Sequence, residues 1–113
     1  MPLATATADL GPLQIELLKR LWNRGSATVH ELLRDWTAQP APAYVTILTV
    51  LRRLEKRGLL SHTVEQRTFR WRPRITEEAL KRAVLGDLAA RVFGGMPELL
   101  QFAAQNLANG AGA

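Results

Sequence analysis

Short hydroxyl and methyl side chains precede arginines on one side of a predicted helix between Pro42 and Gly58. Such a face suits the major groove of DNA, where short side chains reach base edges and arginines contact guanine or phosphate. The alternative interpretation is an ordinary solvent-exposed helix face. The residues predicted to contact DNA from this segment are Ala43, Val45, Thr46, Thr49, Arg52, Arg53 and Lys56.

The opposite side of the same helix is apolar and is predicted to be core, because its members fall together at 100° per residue. These members are Tyr44, Ile47, Leu48, Leu51 and Leu54. Pro40 and Pro42 prevent an earlier helix start, and Gly58 lies where a left-handed C-cap belongs. The sequence therefore predicts a helix with one buried and one free face.

Positive charge is concentrated between Arg52 and Arg74, where eight lysines and arginines stand against two glutamates. The whole chain of 113 residues has a net charge of +5, so the remainder is close to neutral. A local basic cluster indicates a polyanionic partner, with nucleic acid ahead of an acidic membrane or an acidic protein.

A β-hairpin is predicted directly after this helix. Phe69 and Trp71 alternate with polar residues as in a half-buried strand, and the polar triplet at 65–67 suits the turn before it. Arg67, Arg70 and Arg72 are predicted to lie on this hairpin along a DNA phosphate backbone. The alternative is a charged sheet edge that discourages strand addition.

Two helices are predicted before this segment and two after the hairpin. The first helix runs from Pro12 to Asn23, and the second begins at a capping box formed by Thr28 and Glu31. The short second helix, a turn and the longer third helix with its free face form a helix-turn-helix arrangement. Together with the hairpin they predict a winged helix-turn-helix fold, mainly α with a small β-hairpin. The predicted organisation is a flexible arm at 1–9, a DNA-binding domain at 10–74, a helical dimerisation region at 75–108 and a flexible tail at 109–113.

The last two helices are predicted at 77–93 and 98–107, separated by Gly94 and Gly95. Their apolar stripes have too little chain left to cover them, which predicts pairing with a second copy, although packing back on the same chain is the alternative. The residues predicted to form this dimer interface are Leu80, Val84, Leu88, Leu99, Leu100 and Phe102.

Catalytic, metal and membrane functions find no support in the sequence. The chain has no cysteine, and His30 and His62 lack metal-ligand spacing. It contains neither a phosphate-binding glycine loop nor a nucleophile motif, so we expect no enzyme, cofactor or metal. No export signal and no apolar run of about 20 residues is present, which predicts a cytoplasmic protein without a membrane partner.

The chain resembles the penicillinase-repressor family (BlaI/MecI/CopY type) from about Leu10 to Leu107. The specific part is A-Y-x-T-[IV]-x-T-x-L-x-R-L, present at residues 43–54. Weaker support comes from Leu21-Trp22, from residues 28–32 and 67–73, and from residues 93–99. The resemblance implies a winged-helix repressor that binds a dyad-symmetric operator in double-stranded DNA as a homodimer, with Thr46, Thr49 and Arg53 facing the DNA.

Three departures from the family bear on induction and assembly. Members usually continue into one more C-terminal helix, whereas the sequence here closes with Asn109-Gly110-Ala111-Gly112-Ala113, which predicts a weaker or differently built dimer. Members induced by a sensor protease are cut at an Asn-Phe bond, and the counterpart here is Gln101-Phe102, which weighs against that partner. Copper-responsive members carry C-terminal cysteines, which this chain lacks.

Two other functions remain open from sequence. One is a winged-helix protein-interaction module that places its basic hairpin on an acidic partner. The other is a DNA-coating protein without sequence preference, which would bind unrelated duplexes almost equally, where a specific regulator prefers its site by about 10³-fold or more.

Overall fold

The computed structural model describes residues 10–107, so the predicted arm at 1–9 and tail at 109–113 lie outside the described residues. In chain order the elements are α1 (Pro12–Arg24), α2 (Val29–Arg34), α3 (Tyr44–Lys56), β1 (Leu60–Glu65), β2 (Thr68–Pro73), α4 (Glu77–Leu88), a π-helical turn (Ala89–Phe93) and α5 (Met96–Asn106). The predicted fold class, mainly α with a winged helix-turn-helix, is confirmed.

Local hydrogen bonds fix where the helices begin and end. The Thr28 hydroxyl accepts from the Glu31 amide at 3.1 Å and the Thr28 amide donates to the Glu31 carboxylate at 3.0 Å, which confirms the capping box. After α3 the Gly58 amide donates to the Glu55 carbonyl at 2.9 Å, with Gly58 at φ 82°. Only glycine adopts this left-handed conformation without steric cost, so α3 ends where the sequence predicts.

One hydrophobic core lies between α1, α2, α3 and the base of the hairpin. Leu17, Leu21, Ile47, Leu51 and Trp71 are all fully buried in it. α1 is also tied to the start of α4, because the indole N–H of Trp22 donates to the Ile75 carbonyl at 2.8 Å. The core thus fixes the helix-turn-helix and the hairpin as one body.

The prediction that Tyr44 belongs to this core is wrong. Its side chain is 41% exposed, and its ring lies beside that of His30 with the centroids 5.0 Å apart. Tyr44 is the first residue of α3, where the helix has not yet entered the space between α1 and α2. The position of Tyr44 in the helical repeat matches the buried stripe, but the residue lies at the end of the helix and is therefore at the surface.

The turn of the hairpin is shorter than the three residues predicted from sequence. Glu65 pairs with Thr68, so only Gln66 and Arg67 form the turn, with φ of 51° and 67°. Positive φ at both central residues matches the right-handed twist of the flanking strands. An isolated β-bridge joins β2 to the segment before α2, because Ala27 and Trp71 exchange backbone hydrogen bonds of 3.0 and 2.8 Å.

The C-terminal helices extend away from this core. The predicted continuous helix at 77–93 is instead α4 followed by the π-helical turn, and it stops at Gly94 and Gly95, both with positive φ. α5 then packs against that turn, where the rings of Phe93 and Phe102 lie 5.5 Å apart. Within residues 10–107, no helix combines the length and apolarity needed to cross a bilayer.

The expectation that all six dimer-interface candidates lack cover from their own chain is wrong for two of them. Leu80 joins the core with Ile75, and Leu99 is 9% exposed at the start of α5. Leu80 is buried because α4 begins directly behind the hairpin, where the core is still within reach. The other four stay exposed, namely Val84, Leu88, Leu100 and Phe102.

Replacing Gln66 with glycine should stabilise the fold. Glutamine has a Cβ atom that disfavours positive φ, whereas glycine adopts it freely, and part of that gain is lost to the greater entropy of glycine in the unfolded chain. We expect Gln66→Gly to raise the unfolding free energy by about 0.5–1 kcal/mol in urea denaturation. Gln66→Ala, which keeps the Cβ, should leave it nearly unchanged; a destabilised glycine variant would contradict the turn geometry.

Candidate nucleic-acid interface

α3 presents a face that is free of contacts with the rest of the chain. All seven residues predicted to contact DNA from this segment are exposed, with Val45 at 69%. The buried residues Ile47, Leu51 and Leu54 lie on the opposite side of the helix. Packing thus orients Thr46 and Thr49 outward on the leading turns and Arg53 one turn further on, which is the arrangement that a groove-reading helix requires.

A groove of about 170 Å³ separates α3 from the hairpin. Tyr44, Leu48 and Arg52 line it from the helix, and Arg67, Phe69 and Trp71 line it from the hairpin side. Arg67 lies in the hairpin turn with φ 67°. Two guanidinium groups therefore border the junction between helix and hairpin, where a polyanionic strand following both elements would pass.

Many cations of this surface carry no internal partner. Across residues 10–107, Arg52, Arg53, Lys56, Arg67 and Arg72 form no salt bridge with a carboxylate. The arginines of α1 behave differently, because Arg20 pairs with Glu16 at 2.9 Å and Arg24 pairs with Asp35. Unpaired positive charge thus gathers on α3 and the hairpin, as an interface for phosphate requires.

Arg70 differs from the other hairpin arginines. Its guanidinium donates to the two carboxylate oxygens of Glu31 at 3.0 and 3.1 Å and to Glu65 at 3.0 Å. Its side chain is 19% exposed, whereas Arg72 on the same strand lies free at the surface. The prediction that Arg70 contacts phosphate stays untested, but the donors it would need are already engaged within the chain.

Glu31 is the centre of this arrangement. The hydrogen bonds from Arg70, followed by that from the Thr28 amide, lower the pKa of the Glu31 carboxyl below its ordinary value of 4.5. The same pair raises the pKa of Arg70. Sequence reasoning assigned Glu31 only to the capping box, because its partner lies 39 positions away in the chain and no local spacing signals the contact.

A second contact missed from sequence joins α3 to the hairpin. His62 Nδ1 lies 2.7 Å from a carboxylate oxygen of Glu55, near the C-terminal end of α3. The His62 ring also stacks on Phe69 with the centroids 4.2 Å apart. The hairpin is therefore held to α3 on one side through His62 and to α2 on the other through Arg70.

Among residues 10–107, no three His, Asp or Glu side chains come together in a group that could hold a metal ion. The surface instead combines short polar groups on one helix with unpaired cations beside it.

The sequence profile of the penicillinase repressor family matches residues 10–109. The chain belongs to the penicillinase repressor family. Among its relatives are the penicillinase repressor of Bacillus licheniformis, 33% identical over 61% of this chain, and the transcriptional regulator BlaI of Mycobacterium tuberculosis, 30% identical over 73% of it.

The matched regions span 54% and 60% of these two relatives, so the chain covers little more than half the length of the curated proteins. Both relatives carry the names of regulators and neither carries the name of an enzyme. Membership of the penicillinase repressor family agrees with the resemblance stated from residues 43–54 and with the winged-helix architecture.

The ionised Glu31 carboxylate should stabilise the folded protein at neutral pH, and this contribution to the unfolding free energy should disappear in acid. Because its pKa is lowered in the folded protein, the contribution is complete above the ordinary value of 4.5 and is lost as pH falls through the folded pKa. Glu31→Gln keeps an acceptor for the capping box but cannot form the ion pair. Urea unfolding should therefore show a stability gap between the two proteins at neutral pH that narrows once the pH falls below 4.5 and closes as it passes through the folded pKa; a constant gap would refute the assignment.

Proposed function

We propose that this chain is a transcriptional repressor that binds double-stranded DNA as a homodimer. In this proposal α3 enters the major groove, and the hairpin follows the adjacent phosphate backbone as a wing. The observation that carries it is the free face of α3, with Thr46, Thr49 and Arg53 outward, next to the unpaired cations of the hairpin. Membership of the penicillinase repressor family supports the same reading.

The two parts of this surface are assigned different tasks. A threonine methyl packs against the 5-methyl group of thymine while its hydroxyl meets an acceptor, and an arginine bridges the O6 and N7 atoms of guanine. Thr46, Thr49 and Arg53 are therefore proposed to read bases. Arg52, Lys56, Arg67 and Arg72 are proposed to contact phosphates, which fixes position without reading sequence.

The C-terminal helices are proposed to form the dimer. Val84, Leu88, Leu100 and Phe102 are between 38% and 57% exposed, and Val92 and Leu107 are more exposed still. Monomeric proteins seldom leave so many large apolar side chains along two neighbouring helices. A two-fold copy would cover them and would present two α3 helices to a dyad-symmetric site.

The proposed organisation keeps the boundaries expected from sequence, with a DNA-binding region at 10–74 and a dimerisation region at 75–108. Its partner would be chromosomal DNA, and we therefore propose that the protein acts in the cytoplasm. A sensor protease as inducer rests only on the family resemblance, and Gln101-Phe102 in α5 weighs against it.

Thr49→Ala tests the reading function of α3. The variant should lose about 1–3 kcal/mol of binding to the duplex that the unaltered protein selects best from a random library, and much less on an unrelated duplex. Its thermal midpoint should stay nearly unchanged because the side chain is exposed. Equal losses on both duplexes at one salt concentration would remove α3 as the reading element.

Ile47→Val is the matched control on the same helix. Ile47 is fully buried, so this change should lower the unfolding free energy by about 0.5–1.5 kcal/mol. At a temperature where it remains folded, its preference between the two duplexes should be that of the unaltered protein. If the library yields no preferred duplex, the protein is either a coating protein, when all duplexes bind, or an interaction module, when none binds.

Leu100→Glu tests the dimer. Leu100 is 57% exposed on α5, so a charge there should leave the single chain folded while disfavouring burial against a second copy. In sedimentation equilibrium at a protein concentration of roughly tens of micromolar, we expect the unaltered protein to be a dimer and the variant to be a monomer. Gln101→Glu adds the same charge to the neighbouring exposed position as a control; a monomeric unaltered protein would defeat the proposal.

A further inference from the structure

Arg70 connects the middle of the hairpin to the beginning of α2. Its Nη1 and Nη2 atoms donate to the two carboxylate oxygens of Glu31 at 3.0 and 3.1 Å, and its Nε donates to Glu65 at 3.0 Å. A longer contact of 3.3 Å reaches the hydroxyl of Ser26. Planar two-point pairing of this kind fixes direction as well as distance.

The contact lies beside the point where the hairpin joins the helix-turn-helix. Ala27 and Trp71, the direct sequence neighbours of Ser26 and Arg70, exchange two backbone hydrogen bonds. No further backbone pair extends this bridge toward the turn of the hairpin, so the part of β2 beyond the buried Trp71 depends on side-chain contacts for its position relative to α2. The guanidinium of Arg70 adds a second attachment on the side of the hairpin that faces its turn.

We propose that Arg70 is a positioning residue that holds the wing at a fixed angle to α2, and that it does not bind phosphate itself. The inference rests on the proposed DNA-binding function. Holding the angle keeps Arg67 and Arg72 in place relative to α3, so that phosphate contacts form without reordering the hairpin. An interface arranged before binding loses less entropy on association.

The surroundings of Arg70 argue against a direct phosphate contact. A phosphate approaching its guanidinium would meet the carboxylates of Glu31 and Glu65, which already occupy the donors and repel a second anion. Arg72 has no such neighbours and lies exposed on the same strand. The two arginines, separated by one residue, thus perform different tasks.

The proposal predicts that Glu31→Gln weakens DNA binding, which is the opposite of what the loss of a negative charge alone would do. Removing a negative charge close to a DNA-binding surface should by itself strengthen binding, and it would also release Arg70 to reach phosphate. If Glu31 instead holds Arg70, and Arg70 holds the wing, the same change must weaken binding. Glutamine still caps α2, so helix loss does not obscure the comparison.

The experiment compares Arg70→Ala, Arg72→Ala, Glu31→Gln and their combination with Arg70→Ala, all in the full chain. Glu16→Gln is the control for the change in net charge, since Glu16 lies on α1 and pairs with Arg20. The DNA probe is the best duplex selected from a random library by the unaltered protein, measured across a series of salt concentrations. Hydrogen exchange of the Ala27 and Trp71 amides is followed by NMR without DNA.

We expect Arg70→Ala and Glu31→Gln each to weaken binding about threefold with an unchanged salt slope, and to speed exchange at both amides. Glu31→Gln should weaken binding no further in the Arg70→Ala background, because both changes act on the hairpin through the same contact; the other charged neighbour of Glu31, Arg24 at 3.6 Å, lies on α1 and does not touch the hairpin. Arg72→Ala should lower the salt slope by about one and leave exchange unchanged. Glu16→Gln should not weaken binding or change exchange.

Tighter binding by Glu31→Gln, a lower salt slope for Arg70→Ala, or unchanged amide exchange in both variants would each overturn the proposal. The exchange measurement needs no DNA, so it decides whether Arg70 holds the hairpin even if no duplex is selected. Failure of the DNA-binding function and failure of the positioning role are therefore distinguished.

Discussion

The structure depends on the burial of one side of α3. Ile47, Leu51 and Leu54 are completely enclosed by α1, α2 and the hairpin base, so the helix cannot rotate about its axis without exposing leucine and isoleucine to water. Burying each such side chain is worth about 1.5–3 kcal/mol, far more than any surface contact in this chain. The direction of Thr46 and Thr49 is therefore set by packing on the opposite face.

The distribution of charge follows from this packing. The two arginines of α1, Arg20 and Arg24, find carboxylate partners within the chain, and Arg20 also lies over the ring of Trp36 at 3.8 Å from its centre. Along the outer face of α3 the side chains have nothing opposite them except solvent. The positive charges of the basic cluster are therefore exposed on one side of the molecule only. Such a charge distribution would steer a polyanion toward a single orientation.

Periodicity predicted most of the fold because burial in a helix or strand repeats at a fixed interval. It correctly predicted the stripe at Ile47, Leu51 and Leu54, the capping box at Thr28 and the inward direction of Trp71. It failed for Tyr44, because a helix end protrudes beyond the core that buries its middle. It also failed for Leu80, whose cover comes from residues distant in sequence.

The candidate interface was partly predictable for the same reason. The exposed face of α3 is simply the complement of its buried stripe, so its residues could be named in advance. Which cations remain free depends on contacts across the chain, and neither the link of Arg70 to Glu31 nor that of His62 to Glu55 leaves a local pattern. Sequence alone therefore located the basic hairpin but did not separate Arg70 from Arg67 and Arg72.

The π-helical turn after α4 changes how any partner could meet this region. One extra residue in a turn sets every later side chain back by about 100° around the axis, compared with a continuous α-helix. Val84 and Leu88 therefore form one facet, while Phe93 is turned toward Phe102 on α5. No single straight apolar stripe therefore runs through residues 77–93, and the exposed apolar surface of this region changes direction at the level of Ala89.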